Sequence, residues 1–346
     1  MKLTKKEILL LLIPIILFIL IIIILSYLLN QKKDKTQEEN IQNDAKSSPE
    51  IINTAIIEPK TSYNNPIVPN GFHKVETDTA SWELDEQGNP KGWDNGLVIE
   101  DSIGNQFVWI PVKNVKQSEV NNVSKLPQGI ESEHIQNQKY GGFYVARYEA
   151  GVPIEMQSIN NNISEETNNI NGIPVSKKGE RPWNYISYDN AKANSENMYS
   201  NEYIQSGLMT IFQRNEVVSF VNKTYDIKND ISVDSANIGN YLNSNFTFTG
   251  LYSSDDGKNY SNGTNVTKSK SKGLILSTGI TDRNKTYNIY DLAGNLSEML
   301  CASSDGNINV AGGSYLNDGL TPLENIDRIV TKPNSKLGFR VVLYIK

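Results

Sequence analysis

Apolar and polar positions change their spacing several times along this chain. Residues 8–29 are almost all Ile and Leu, interrupted only by Pro14, Phe18, Ser26 and Tyr27, and none is charged. As a helix this run would extend about 33 Å, against a bilayer core of about 30 Å. A cleavable signal peptide would have an apolar region of about 7–15 residues followed by a small-residue cleavage site. Neither feature is present, so the run predicts a retained, signal-anchor type of transmembrane helix. Lys2, Lys5 and Lys6 precede it, and Lys32, Lys33 and Lys35 follow it. The flanking charge is therefore nearly balanced. A short basic tail before a long polar domain favours residues 1–7 as a cytoplasmic tail and an external body. The expected location is the cell membrane, with a single pass and an extracellular C-terminal domain.

Residues 30–66 are rich in Lys, Glu, Asp, Asn, Gln and Ser and lack apolar periodicity, which predicts a flexible stalk. Short strand-like runs begin beyond it. Gly96-Leu-Val-Ile-Glu100 and Gln106-Phe-Val-Trp-Ile-Pro-Val112 flank Asp101-Ser-Ile-Gly-Asn105, a hairpin signal with Gly104-Asn105 at the turn. In Gly141-Gly-Phe-Tyr-Val-Ala-Arg-Tyr-Glu149, Phe143, Val145 and Arg147 alternate with Tyr144, Ala146 and Tyr148. One helix is expected from Ser187 through Asn194. A second begins at Thr210, where Gln213 completes the spacing of a capping box. Leu208, Ile211, Phe212, Val218 and Val221 would share its apolar face. Residues 243–286 are dominated by Ser, Asn, Gly, Asp and Lys and predict loops. With no internal repeat, residues 67–346 are expected to form one irregular α+β domain.

Composition removes several function classes. The net charge is −6, with 33 basic and 39 acidic residues, which argues against a general phosphate-backbone binder and so against nucleic acid. The single cysteine, Cys301, excludes a disulfide framework within one chain and reads as a small buried apolar residue. The two histidines, His73 and His134, supply neither a metal triad nor a Ser–His triad. Gly312-Gly313 precedes no helix signal and reads as a close backbone approach rather than a phosphate loop. Arg340 lies in an apolar run, which favours pairing with a buried carboxylate over recognition of a ligand. Trp82, Trp93, Trp109 and Trp183 could line a binding surface, but most fit a core better.

One ordered series of motifs goes further. It runs through Gly141–Glu149, Pro182-Trp-Asn-Tyr-Ile-Ser-Tyr-Asp-Asn-Ala191, Gly207-Leu-Met-Thr210, Asn288-Ile-Tyr-Asp-Leu-Ala-Gly-Asn-Leu-Ser-Glu298, Gly312-Gly-Ser-Tyr315 and Gly338-Phe-Arg340. In order and spacing it resembles the formylglycine-generating enzymes, the sulfatase-modifying family with a C-type lectin-like fold. The resemblance covers roughly residues 96–345. It implies an α+β domain with short strands, two main helices and long ordered loops, here preceded by the transmembrane helix.

The resemblance also implies a structural calcium bound by the side chains of Asp291 and Glu298 and the backbone carbonyls of Gly294 and Leu296. Such an oxygen set suits calcium. The alternative is a strand-to-turn element whose acids face solvent. Asn237-Ile238 resembles half of a second calcium site, without a recognisable downstream half. The family's copper-dependent oxidation needs two thiolates after Gly-Gly-Ser-Tyr. Here Asn317 stands where the first would follow, and Cys301 lies upstream of Gly312. Ser297 and Met299 also replace the aromatic residues that commonly flank the Glu. No copper is therefore expected. The expected function is a non-catalytic binding or adhesion module for a protein or glycan, with residues 243–286 and 316–328 as its face. The alternative is an oxidase or other protein-modifying enzyme with unrecognised catalytic residues.

Overall fold

The two apolar runs around Asp101–Asn105 form the expected hairpin. Strands β2 (Val98–Asp101) and β3 (Gln106–Pro111) pair antiparallel with Val98 opposite Val108. The turn is closed by Asp101, whose Oδ1 accepts the backbone N–H groups of Ile103 at 3.0 Å and Asn105 at 2.8 Å. Gly104 supplies a left-handed φ of 91°. The computed structural model describes residues 65–112, 140–157, 164–222, 234–301, 308–319, 323, 326–328 and 332–346. The expected tail, anchor and most of the stalk (residues 1–64), as well as His134, lie outside these residues. No helix among the described residues is long and apolar enough to cross a membrane. The described residues thus offer no counterpart to the expected transmembrane, signal-anchor helix, whose residues 8–29 lie outside them.

The hairpin belongs to a six-stranded sheet. Its other members are β1 (Phe72–Val75), β4 (Gly142–Ala146), β5 (Ile204–Leu208) and β15 (Val341–Ile345). The strand order is β1-β2-β3-β4-β15-β5. Successive side chains of a strand point to opposite faces, and here both faces are buried. Phe107, Trp109, Tyr144, Val341 and Leu343 join one core cluster. Val108, Ile110, Phe143, Val145 and Val342 join the other. This accounts for the unbroken apolar runs in the sequence. Burying one such large side chain stabilises the fold by about 1.5–3 kcal/mol.

A helix packs on each face. Helix α1 (Tyr188–Met198) contributes Ala191 and Met198 to the Trp109 side. Ser187 caps it by accepting the N–H of Asn190. Helix α2 (Ile211–Asn222) contributes Val217, Val218, Phe220 and Val221 to the opposite side. Ile211 and Phe212 are only half-buried, and the polar Gln213 and Arg214 are fully buried instead. The expected face is thus rotated, because Arg214 must reach an interior carboxylate.

The capping box forms as expected. The Gln213 N–H donates to Thr210 Oγ1 at 3.1 Å, and the Thr210 N–H donates to Gln213 Oε1 at 3.0 Å. Thr210→Ala should therefore destabilise the domain by about 1 kcal/mol. Urea unfolding checks this, and an unchanged midpoint would remove the cap from the energetics.

Residues 243–286 depart from the loop reading. Strands β6 (Phe246–Ser253) and β7 (Ser261–Lys268) form a hairpin, and β8 (Ile275–Leu276) pairs with β6. β7 is mostly exposed and built of Ser, Asn, Thr and Gly, so it shows little apolar alternation. The remaining strands are β9 (Lys285–Thr286), β10 (Ile289–Tyr290), β11 (Ser297–Leu300), β12 (Asn309–Ala311), β13 (Ile326–Arg328) and β14 (Leu337–Phe339). β11 to β14 make a four-stranded sheet in the order β13-β12-β11-β14. The architecture is mixed α+β with a majority of strands. Trp82, Trp109 and Trp183 are core residues. Cys301 is half-buried rather than fully buried, and its thiol donates to the Leu208 carbonyl at 3.3 Å.

Candidate functional site

Three of the motif segments meet around Glu298. Its carboxylate sits on β11, a strand buried at every position. Arg340, between β14 and β15, donates from Nε to Glu298 Oε1 at 2.7 Å. Arg214 on α2 donates to Oε2 at 3.2 Å. The side chains of all three residues are at most 1% exposed. Both arginines also tie down backbone carbonyls. Arg340 reaches Ala146 at 3.0 Å and Tyr290 at 2.8 Å. Arg214 reaches Leu292 at 3.0 Å and Leu323 at 3.2 Å. One carboxylate thus links the central sheet, helix α2, the β10–β11 connection and the four-stranded sheet.

Two more carboxylates lie within the same electrostatic environment. Asp291 is buried in a left-handed conformation, φ 56°, which Asp and Asn tolerate better than most residues. Its oxygens accept the Gly279 N–H at 2.7 Å and the Asn284 amide at 3.2 Å. Burial pushes Asp291 up to about 6, against the lowering effect of those hydrogen bonds and of Arg340. Glu149 accepts the Asn295 amide at 2.6 Å and the Leu296 N–H at 3.1 Å. Burial holds Glu149 well above the usual carboxylate range, reinforced by Asp291 and Glu298.

The sign of the pH effect follows. A carboxyl whose folded pKa exceeds its unfolded value stabilises the fold in its protonated form. That contribution is complete below the unfolded pKa of 3.8 and is lost as pH rises through about 6. The melting temperature should therefore be higher near pH 5 than near pH 7, and Asp291→Asn should flatten the difference. Thermal melts across this window check it. An Asp291→Asn slope identical to that of the unmodified chain would assign the effect elsewhere.

The expected calcium ligands can now be judged. Asp291 and Glu298 do not face solvent, and Gly294 and Leu296 lie in the same buried turn. The set nevertheless does not fit a calcium ion. Both oxygens of Glu298 are occupied by guanidinium groups, whose charges would oppose a divalent cation. Both oxygens of Asp291 are committed to N–H donors. Among the described residues, no group of three or more His, Cys, Asp or Glu side chains is arranged to hold a metal ion. Arg340 pairs with a buried carboxylate, as its place in an apolar run implies. Arg214 and Glu149 were not legible as members of the cluster. A polar residue at a helix position that should face inward was the only signal for Arg214.

Asn317 has a structural task. Its Oδ1 accepts the Ser314 N–H at 2.7 Å and the Ser314 hydroxyl at 2.8 Å. Its own N–H donates to the Ser314 carbonyl at 2.9 Å. Beside this turn, the Tyr315 hydroxyl donates to Asp256 at 2.7 Å and lies 2.9 Å from Ser335 Oγ. Tyr185 borders the same patch through its N–H bond to the Asn334 carbonyl at 3.0 Å. It holds φ 53°, a strained value for an aromatic residue, and Asp256 holds 62°. The patch is therefore polar and aromatic, with one strained residue, Tyr185, at its edge. No protein-family model matches the chain, and no curated protein matches it at a significant level.

Proposed function

We propose that the domain is a non-catalytic binding or adhesion module on a scaffold of the formylglycine-generating type. Asn317 carries this reading. It stands where the resemblance implies the first thiol, and its side chain is committed to a turn with Ser314. Cys301 is bonded to Leu208 on another element and has no second cysteine to work with.

The face for a partner is the β6–β7 hairpin together with the ground around Tyr185, Asp256 and Ser335, with the buried Tyr315 hydroxyl tying Asp256 and Ser335 together from below. Tyrosine offers flat apolar area and a hydroxyl at little conformational cost, and Ser, Asn and Thr add adaptable hydrogen bonding. Strain at Tyr185 is the kind of local cost retained at ligand sites. This chemistry suits a glycan or a protein surface.

Two measurements test the proposal. Oxygen uptake with copper and a cysteine-containing sulfatase peptide should not exceed the blank, whereas turnover abolished by Cys301→Ser would overturn the reading. On a glycan array, the domain should retain a defined set of sugars and lose it in Tyr185→Ala. Retention unchanged in that variant would remove the face.

A further inference from the structure

The loop 234–244 turns its backbone carbonyls onto two side-chain cations. Arg283 donates to the Gly239 carbonyl at 2.6 Å and to the Ala236 carbonyl at 2.5 Å. Lys268 donates to the carbonyls of Leu242 and Ser244, each at 3.2 Å. Lys268 is the last residue of β7 and is fully buried. Arg283 is half-buried, with its guanidinium carbon 4.6 Å from the centroid of the Phe246 ring. Among the described residues, neither has a carboxylate partner.

Each cation takes two backbone carbonyl oxygens, the kind of donor that a hard metal ion would also use. Here the positive charge is covalently part of the chain. Burial and the neighbouring Arg283 push Lys268 down to about 8, so it still carries its proton at neutral pH. The same substitution of side-chain cation for metal occurs at Glu298, held between Arg214 and Arg340. Asn237-Ile238, the half-site implied by resemblance, lies inside the loop that Lys268 and Arg283 organise.

We propose that Lys268 and Arg283 are built-in cations that fix the 234–244 loop and remove its need for a bound metal ion. The loop carries Asn243, which accepts the Gly319 N–H and donates to Asp318, so its order reaches the segment after Tyr315. The inference concerns how the loop is held and stands independently of what the domain binds.

The test is amide hydrogen exchange over residues 234–244, with thermal melting alongside, in excess calcium and in EDTA. Protection and melting temperature should be the same in both. Lys268→Met and Arg283→Met should lower the melting temperature and speed exchange in this loop. Arg283→Lys should retain more of the protection than Arg283→Met. If Lys268→Met does not fold, the Arg283 pair makes the comparison. Calcium-dependent protection of the loop in the unmodified chain would overturn the proposal. So would equal exchange in Arg283→Met and the unmodified chain.

Discussion

Glu298→Gln is expected to destabilise the domain by roughly 3–5 kcal/mol, the usual consequence of removing one partner from a buried ion pair. The substitution preserves volume and removes only the negative charge. Arg214 and Arg340 would then sit buried beside an amide that can accept but not neutralise. Neither guanidinium can escape to water, because each also bonds backbone carbonyls of separate segments. Denaturant unfolding gives the loss directly. A double cycle with Arg340→Met should recover part of it, since the residues are directly coupled. A loss below about 1 kcal/mol would place this cluster among interactions that behave like solvent-exposed pairs.

Gly294→Ala should cost more than about 4 kcal/mol or prevent folding, a range reached by few single substitutions. Gly294 has φ 69°, and a Cβ there would lie 2.3 Å from the carbonyl oxygen of Asn240 and 2.7 Å from its nitrogen. Those atoms cannot step aside easily. The Asn240 carbonyl accepts the Asn295 N–H at 2.9 Å, and its N–H donates to the Ala293 carbonyl at 3.2 Å. Gly179 is the control, with φ 87° and nothing within 4 Å of its added Cβ. Gly179→Ala should show only the backbone term of about 1–2 kcal/mol. Comparable losses in the two variants would mean that the contact with Asn240 relaxes without penalty.

The two predictions concern neighbouring positions of one motif for different reasons. Gly294 lets two backbones touch, and Glu298 anchors charges from two distant elements. The sequence pointed to both residues, but through an expected calcium ion. At Glu298 the positive charge comes from two guanidinium groups, and at Gly294 the close neighbour is the Asn240 backbone. The cause is burial, since an interior carboxylate needs a counter-charge and arginine supplies one with directed donors.

What could be read directly was local. The hairpin at 96–112, the cap at Ser187 and the Thr210–Gln213 box all lie within a few residues of their partners, so turn and capping signals were enough. The β6–β7 hairpin was missed because its strands are held by ladder bonds and pack few side chains, leaving little periodicity to detect.

By itself, the sequence determined the mixed class of the domain, its principal turns and caps, and the absence of a thiol pair. Only the tertiary structure decided what the acids and cations do. Arg340 and Arg214 lie 42 and 84 residues from Glu298. Lys268 and Arg283 reach carbonyls 24 to 47 residues away. No local pattern selects such partners. They are chosen when the sheets pack, because a buried charge must then find its opposite, or a set of oxygens, wherever the fold has brought one.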